Sequence, residues 1–377
     1  MLHKLSIILL FIVFISCKKE VSTPEITSNK THKIELEYAT SFEVEKSEDF
    51  TKINLKTPWP EADKSFTYLL VDKEKQVPKN IDYDVLVRTP VDKIVVTSTT
   101  HIPSLESLDV LDKLVGFPST NFISSEAARK KIDAGEIKEL GKNESINTEV
   151  LLNLQPDIVV GFAINGNNKT FNTIQKVGIP VVYNAAWIEK HALGRAEWIK
   201  FFGYLFNKEK QANAIFKDIV TNYKNASKLA ANATNKPTIL GGSMFKDVWN
   251  VPYGNSWVAK FIDDANGDYL WKDTKGSGSI ALNIESVIEK AQQADIWVTS
   301  GGASTKDELL ARNQHYKQFK AFQDGNVYLA NKKGATGGLL FFELGPNRPD
   351  LILKDLIKIF HPELLPHHEL YFYQKIQ

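Results

Sequence analysis

Strand-like and helix-like segments alternate along most of this chain, in two blocks separated by a long helical stretch. No other feature restricts the fold as much. In the first block Lys93–Thr97 (KIVVT) reads as a buried strand, and Leu105, Leu108 and Leu111 repeat at helical spacing over 104–114. A helix over 147–154 leads into a strand over 157–162, and a helix over 169–177 leads into a strand over 179–183. In the second block strands are expected over 238–241, 249–251, 295–300 and 327–330, with helices over 257–265, 283–292 and 350–360. Strands alternating with helices imply parallel sheets with right-handed crossovers. Between the blocks, Trp198, Phe201, Phe202 and Leu205 share one helical face. Asn207 can cap a further helix in which Ala212, Ile215, Phe216, Ile219 and Tyr223 recur to about Ala231. That helix is about 36 Å long, which suits a strut. The expected fold is α/β: two Rossmann-like lobes, 91–191 and 236–377, joined by a helical spine over 192–235.

Ahead of the first lobe, residues 36–90 alternate with a short period and are rich in Thr, Tyr and Ile, as in Phe50–Leu55 and Ser65–Val71, and Ile34–Tyr38 alternates likewise as a first short strand. This reads as a small β extension with one wet face. Residues 1–16 have a short basic start and an apolar run too short to span a bilayer comfortably, the layout of a secretory signal. The chain's single cysteine, Cys17, falls where that run ends. Phe14-Ile15-Ser16-Cys17 resembles the lipobox of bacterial lipoproteins, which implies cleavage before Cys17 and lipidation of it. The plainer alternative is a signal peptide with an incidental cysteine. Residues 17–35 then read as the lipidated residue and a polar tether, placing the body in the cell envelope, held at a membrane.

At 377 residues the chain is long enough for two sizeable cores. Its 46 Lys and Arg balance 45 Asp and Glu, so nothing in the charge points to nucleic acid. One cysteine excludes an intrachain disulfide and a multi-cysteine metal site. No P-loop, dinucleotide-binding GxGxxG, GxSxG elbow or HExxH motif occurs, and the eight histidines form no local catalytic pattern. An enzyme is therefore not expected, nor is a resident cofactor or metal.

The informative residues cluster after the strands. His101, Phe162, Trp187 and Trp249 follow strand segments, Tyr253, Asn255 and Trp257 open a helix, and Phe341 and Arg348 lie in the loop before the last helix. Aromatics there suit a bulky or flat ligand, and Arg348 suits a carboxylate or phosphate on it. Each has a plainer reading: lobe packing for any one aromatic, a turn role for His101, a local cap for Arg348. Gly241-Gly242 and Gly301-Gly302 are expected to form tight turns that let a ligand or the backbone approach closely.

Asn147-Thr148-Glu149-Val150-Leu151-Leu152-Asn153-Leu154-Gln155-Pro156-Asp157-Ile158-Val159-Val160 resembles a segment of the periplasmic binding proteins that serve ABC importers of ferric siderophores, haem and cobalamin. Lys93–Leu114 resembles the first strand and helix of that family. Ile284-Glu285-Ser286-Val287 with Ala294–Val298, and Phe322–Tyr328, resemble second-lobe segments in the same order. The resemblance covers roughly 90–360. It implies a bilobal protein without catalysis that captures a small chelate or tetrapyrrole-type ligand carrying iron or cobalt. It also implies an ABC permease with its ATPase as partners, and a monomeric state. By motif position, Glu149 and Glu285 correspond to the family's permease-docking glutamates, and both positions equally suit ordinary first-turn glutamates. A haem ligand would want an axial residue, for which His101 is the placed candidate. A lipoprotein enzyme on the same fold and a scaffold lipoprotein are the readings from other classes.

Overall fold

The structure is a computed structural model that describes residues 30–377 except Ser277, Gly302, Thr336 and Gly337. The leader, Cys17 and most of the tether lie outside the described residues.

The chain begins with a five-stranded sheet: β1 (His32–Ile34), β2 (Phe42–Lys46), β3 (Phe50–Leu55), β4 (Phe66–Asp72) and β5 (Val85–Thr89). The first four form an antiparallel meander and β5 joins β4 in parallel. Alternation sends Phe42, Val44, Ile53, Leu55, Tyr68 and Leu70 into the main core. Phe50, Leu69 and Val71 face the other way, into a small separate core covered by Val77, Ile81 and Leu86. The strand expected over 34–38 is displaced. It ends at Ile34 because the N–H groups of Glu37, Tyr38 and Ala39 turn to the Glu197 carboxyl instead, at 2.9, 2.7 and 2.8 Å. Two strands of the extension, β2 and β5, escaped the sequence reading.

The first lobe contains β6 (Ile94–Val96), α1 (Ile102–Ser107), β7 (Leu114–Phe117), α2 (Glu126–Asp133), β8 (Lys138–Glu139) and a tiny hairpin, β9 (Gly141–Lys142) with β10 (Ser145–Ile146). Then come α3 (Thr148–Leu154), β11 (Ile158–Gly161), α4 (Lys169–Lys176) and β12 (Val181–Tyr183). The sheet is parallel, in the order β12-β11-β6-β7-β8. The helix expected over 104–114 breaks after Ser107. Asp109 there takes a left-handed φ of 55°, and a short 3-10 turn follows at Leu111–Lys113.

The linker is α5 (Ala192–Glu197), α6 (Ile199–Leu205) and α7 (Glu209–Ala230). Asn207 does not cap α7. Its φ of 55° makes the turn between α6 and α7, and its amide nitrogen donates to Asp72 at 3.3 Å. The 22-residue α7 reaches both lobes: Gln211 donates to the Ser107 carbonyl at 3.1 Å, and the Tyr223 hydroxyl meets Asp264 at 2.7 Å.

The second lobe contains β13 (Thr238–Gly241), β14 (Ser243–Phe245), β15 (Val248–Pro252), α8 (Trp257–Asp264), β16 (Asp268–Tyr269), β17 (Ser279–Leu282), α9 (Ile284–Ala291) and β18 (Ile296–Ser300). It closes with α10 (Lys306–Arg312), α11 (Lys320–Gln323), β19 (Val327–Ala330), α12 (Leu340–Glu343), α13 (Pro349–Phe360) and β20 (Gln374–Lys375). Its sheet runs β16-β13-β18-β19-β20, parallel except for β20. A separate antiparallel sheet, β14-β15-β17, stands beyond the end of β13. The two-lobed α/β architecture is the one expected.

Two buried carboxyls bind the extension to the linker. Glu197 is fully buried and, besides the three backbone donors, holds Lys200 at 2.6 Å. Glu189 accepts from the backbone of Thr40 and Ser41 and from the Trp198 indole. Removing one partner of a buried ion pair costs about 3–5 kcal/mol. Glu197→Ala, which also orphans three backbone donors, is expected to destabilise the protein by at least about 3 kcal/mol in denaturant unfolding. A loss under about 1 kcal/mol would contradict this account.

Candidate functional site

In each parallel sheet the chain starts in the middle and builds outward on both sides, from β6 to β7 and then β11, and from β13 to β16 and then β18. Loops leaving the carboxyl ends at such a reversal diverge and leave a crevice. The crevices of the two lobes face each other across a cavity of about 290 Å³. Thr99 and Thr100 after β6, Arg195 on α5, Trp257 on α8, and Phe341 and Phe342 on α12 contribute to its wall.

Arg195 is the one charged side chain among the residues lining this cavity. Its Nε donates to the Glu189 carbonyl at 3.2 Å and its Nη2 to the Trp187 carbonyl at 2.6 Å. The guanidinium lies over the Trp257 ring, 4.6 Å from its centroid. Burial pulls its pKa down to about 10, against the opposing pull of Glu189, so it stays charged at neutral pH. A guanidinium fixed by two carbonyls and an aromatic face, in an otherwise uncharged cavity, suits an anionic group on a largely apolar or aromatic ligand.

Trp257 and Phe341 line the cavity as the sequence suggests, with their rings 6.2 Å apart and 28° from parallel. Trp187 is 38% exposed and borders a small side chamber of about 50 Å³ that also touches His101 and Arg195. His101 is buried against Phe202, and its Nδ1 has no hydrogen-bond partner among the described residues. Burial drops its pKa to about 3, so the ring is neutral at physiological pH. Phe162 is half-buried beyond β11 and lines neither space.

Four expected contacts fall elsewhere. Trp249 is fully buried, donates to the Gly241 carbonyl at 3.2 Å and packs against Trp297, Tyr316 and Phe319. It is core because β14 and β15 fold back over the end of β13. The same fold-back explains Gly242: a Cβ there would meet the Asn250 carbonyl oxygen at 2.0 Å, so the close approach is by the chain's own backbone. Tyr253 covers Gly276, whose N–H donates to Asn255 at 3.1 Å, so both residues shape the loop before α8 outside the cavity. Arg348 is held two-pronged by the buried Asp350, at 2.9 and 2.8 Å, at the start of α13. It faces the spine beside Asp218 and Asn222. Arg195, which the sequence reading passed over as linker, takes the place proposed for Arg348.

Glu149 and Glu285 are exposed in the first turns of α3 and α9, capped by Asn147 and Asn283. Each helix precedes a parallel strand and runs antiparallel to it, so its N-terminus lies at the carboxyl edge of its sheet. Both glutamates therefore sit on the side of their lobe where the cleft opens. No cluster of three or more His, Cys, Asp or Glu suited to a metal occurs among the described residues.

Residues 94–333 match the family described as periplasmic binding protein. The chain belongs to this family. This periplasmic binding protein is 27% and 28% identical to two proteins of Methanocaldococcus jannaschii named as lipoproteins, over 82% of its length and 75% and 80% of theirs. It is 22% identical to a vitamin B12-binding protein of Vibrio parahaemolyticus, over 55% of its length and 72% of that protein's. Among solved structures, it superimposes on a periplasmic haem-binding protein of Pseudomonas aeruginosa with a TM-score of 0.56 at 19% identity, covering 72% of this chain and 94% of the other. A Helicobacter pylori protein solved with Ni(II) bound gives a TM-score of 0.56 at 18% identity, covering 75% and 88%. These last two likenesses establish the fold.

The lobes of this binding protein also touch directly beside the cleft. Asn347 accepts from the Ser104 hydroxyl at 2.8 Å and donates to the Thr100 carbonyl at 2.9 Å. Glu343 of α12 accepts the backbone N–H groups of Ser124 and Ser125 in the first lobe, at 2.6 and 2.8 Å. Burial pushes the Glu343 carboxyl up to about 7, helped by the nearby Glu106 and opposed by the two N–H donors. A carboxyl whose pKa is higher in the native state gives stability that is full below its unfolded value and lost as pH rises to its folded value. Unfolding stability is expected to fall between about pH 4.5 and 7 through this group. Measured across that window, Glu343→Gln should show a shallower slope, and an unchanged slope would refute the assignment.

Proposed function

We propose that this protein is the lipid-anchored binding component of an ABC importer. It captures a ferric siderophore or related iron complex in the interlobe cleft and delivers it to the permease. The observation that carries the reading is the cavity itself: strand-end loops of both lobes meet around an uncharged aromatic space with one fixed guanidinium. A chelator that already fills the iron shell needs an aromatic wall and a counter-charge from the protein, not metal ligands. The Helicobacter pylori relative with a bound metal ion and the Vibrio B12-binding relative support a metal-bearing ligand. The relatives named as lipoproteins support the anchor at Cys17.

The test is a tryptophan-fluorescence titration with ferric siderophores, haemin and cobalamin in turn, corrected for absorbance. Saturable quenching by a ferric siderophore is expected, with loss of most of the signal in Trp257→Phe. Arg195→Ala should weaken that binding about 10- to 100-fold, the worth of a charge-assisted hydrogen bond. Saturable binding of cobalamin or haemin instead would replace the iron-chelate reading with the alternative of the same importer class. For haemin, a Soret band unchanged in His101→Ala would rule out axial ligation by His101. No response to any of the three would remove the metal-chelate reading.

Delivery rests on Glu149 and Glu285, two exposed carboxylates on the cleft side of the two lobes that can register the protein over basic residues of a permease. Reversing both charges is expected to abolish uptake and leave ligand affinity unchanged. Loss of ligand affinity in that double variant would contradict a docking role.

A further inference from the structure

The cleft continues into the second lobe. Beyond Trp257, Phe261 and Phe341 lies a further chamber of about 240 Å³, at the carboxyl ends of β13 and β18 and against β14, β15 and β17. Val298, Ile262 and Leu356 contribute apolar wall, Ser243, Ser279, Thr299 and Ser300 contribute hydroxyls and Asn250 a carboxamide at its rim, and no charged side chain is among its described lining residues. The two spaces share Trp257, Phe261, Phe341, Phe342 and Ile352, so the Trp257–Phe341 pair forms a partition between them. Arg195 stands on the interlobe side of that partition, stacked on Trp257.

We propose that this chamber is a second subsite that receives an apolar arm of the ligand, an alkyl chain or aryl group of roughly six to eight carbons. It rests on the reading of the cleft as the ligand site and narrows the ligand to an amphiphile whose anionic head meets Arg195. An apolar cavity of about 150 Å³ takes up a benzene ring, which sets the size of the arm. The chamber opens onto the cleft, so a ligand held beside Arg195 can reach into it. The contrast in charge carries the assignment: the interlobe space offers a guanidinium and threonine hydroxyls, and the inner chamber offers hydrocarbon, aromatic edges and uncharged hydroxyls.

The test uses butanoate, octanoate and dodecanoate as probes, titrated into full-length protein and into the variants Ser243→Phe and Thr299→Phe. Each variant fills the chamber from a different strand, so failure of one to fold leaves the other. Affinity is expected to rise about fourfold per added methylene up to about eight carbons and then to level off. Both filled variants should lose the rise beyond butanoate, and Arg195→Ala should weaken all three probes by a similar factor. The proposal is overturned if no probe binds, if affinity does not depend on chain length, or if the rise persists in the filled variants as simple partitioning would give. The chelate titrations read the underlying function separately. Chelate binding without the chain-length profile removes the apolar arm and leaves the binding-protein reading. The profile without chelate binding keeps the chamber and removes the chelate.

Discussion

Buried carboxyls that gather runs of backbone N–H groups hold the irregular parts of this protein in place. A segment outside helix and sheet still carries a donor at nearly every residue, and burying it requires an acceptor. Glu197 serves Glu37, Tyr38 and Ala39, tying the β extension to the linker. Asp355 on α13 serves Tyr371, Phe372 and Tyr373 and holds His368 at 2.7 Å, fixing the C-terminal segment. Glu343 serves Ser124 and Ser125 across the cleft, and the exposed Glu139 does the same at the surface for Ser119, Thr120 and Gly141. Hydrogen bonds to charged acceptors are roughly twice as strong as neutral ones, so one side chain can fix three residues of coil.

This device reaches the interlobe cleft through a short stretch of chain. The Glu189 side chain holds Thr40 and Ser41 of the extension, and its backbone carbonyl receives Arg195. Trp198, three residues after Arg195, donates to the same Glu189 carboxyl and packs 4.4 Å from Phe42 of β2. The extension therefore buttresses the segment that aims the cleft's guanidinium. At the other end, Asp355 positions Tyr373, which lines the inner chamber. Both walls of the cleft are thus built on helices whose placement depends on buried acids remote from the cavity.

The fold was legible because its signals are local. Hydrophobic runs such as Ile158–Gly161 and Ile296–Ser300, each with a helix before it, announce parallel strands, and the helix starts read at 147 and 283 fall on the residues that cap α3 and α9. The carboxyl ends of the strands are where the sequence places the candidate site, because the topology of an open α/β sheet leaves its crevice there. Which side chains reach the cavity was less legible, because that depends on long-range packing. Trp249 and Trp257 look alike in sequence. The β14–β15 hairpin buries one under its own turn, while α8 presents the other to the cleft. Arg348 has a carboxylate two residues away that captures it, whereas the hydrogen bonds of Arg195 go to the Glu189 and Trp187 carbonyls and its face to a ring of the second lobe. Glu189, Glu197 and Asp355 read as ordinary helix or loop acids, and their burial has no local signature.

The same contrast bears on how the two lobes act together. Along α7 the spine meets the first lobe through Gln211, which donates to the Ser107 carbonyl and to Asp109, and meets the second through Tyr223, bonded to Asp264 and packed on Phe261, while the cleft side carries the Asn347 contacts, the Glu343 contacts and the close fit of Gly334 and Gly338. A Cβ on Gly334 or Gly338 would come within 2.3 Å of the Ser124 or Phe122 carbonyl oxygen. The loop leading into α12 is therefore pressed against the first lobe by fit as well as by hydrogen bonds. A long helix resists bending, and a glycine-lined seam held by a buried carboxyl resists sliding, so the lobes have few ways to separate. On the open side of this seam Phe342, 52% exposed, borders both cavities, and Trp187 borders the side chamber.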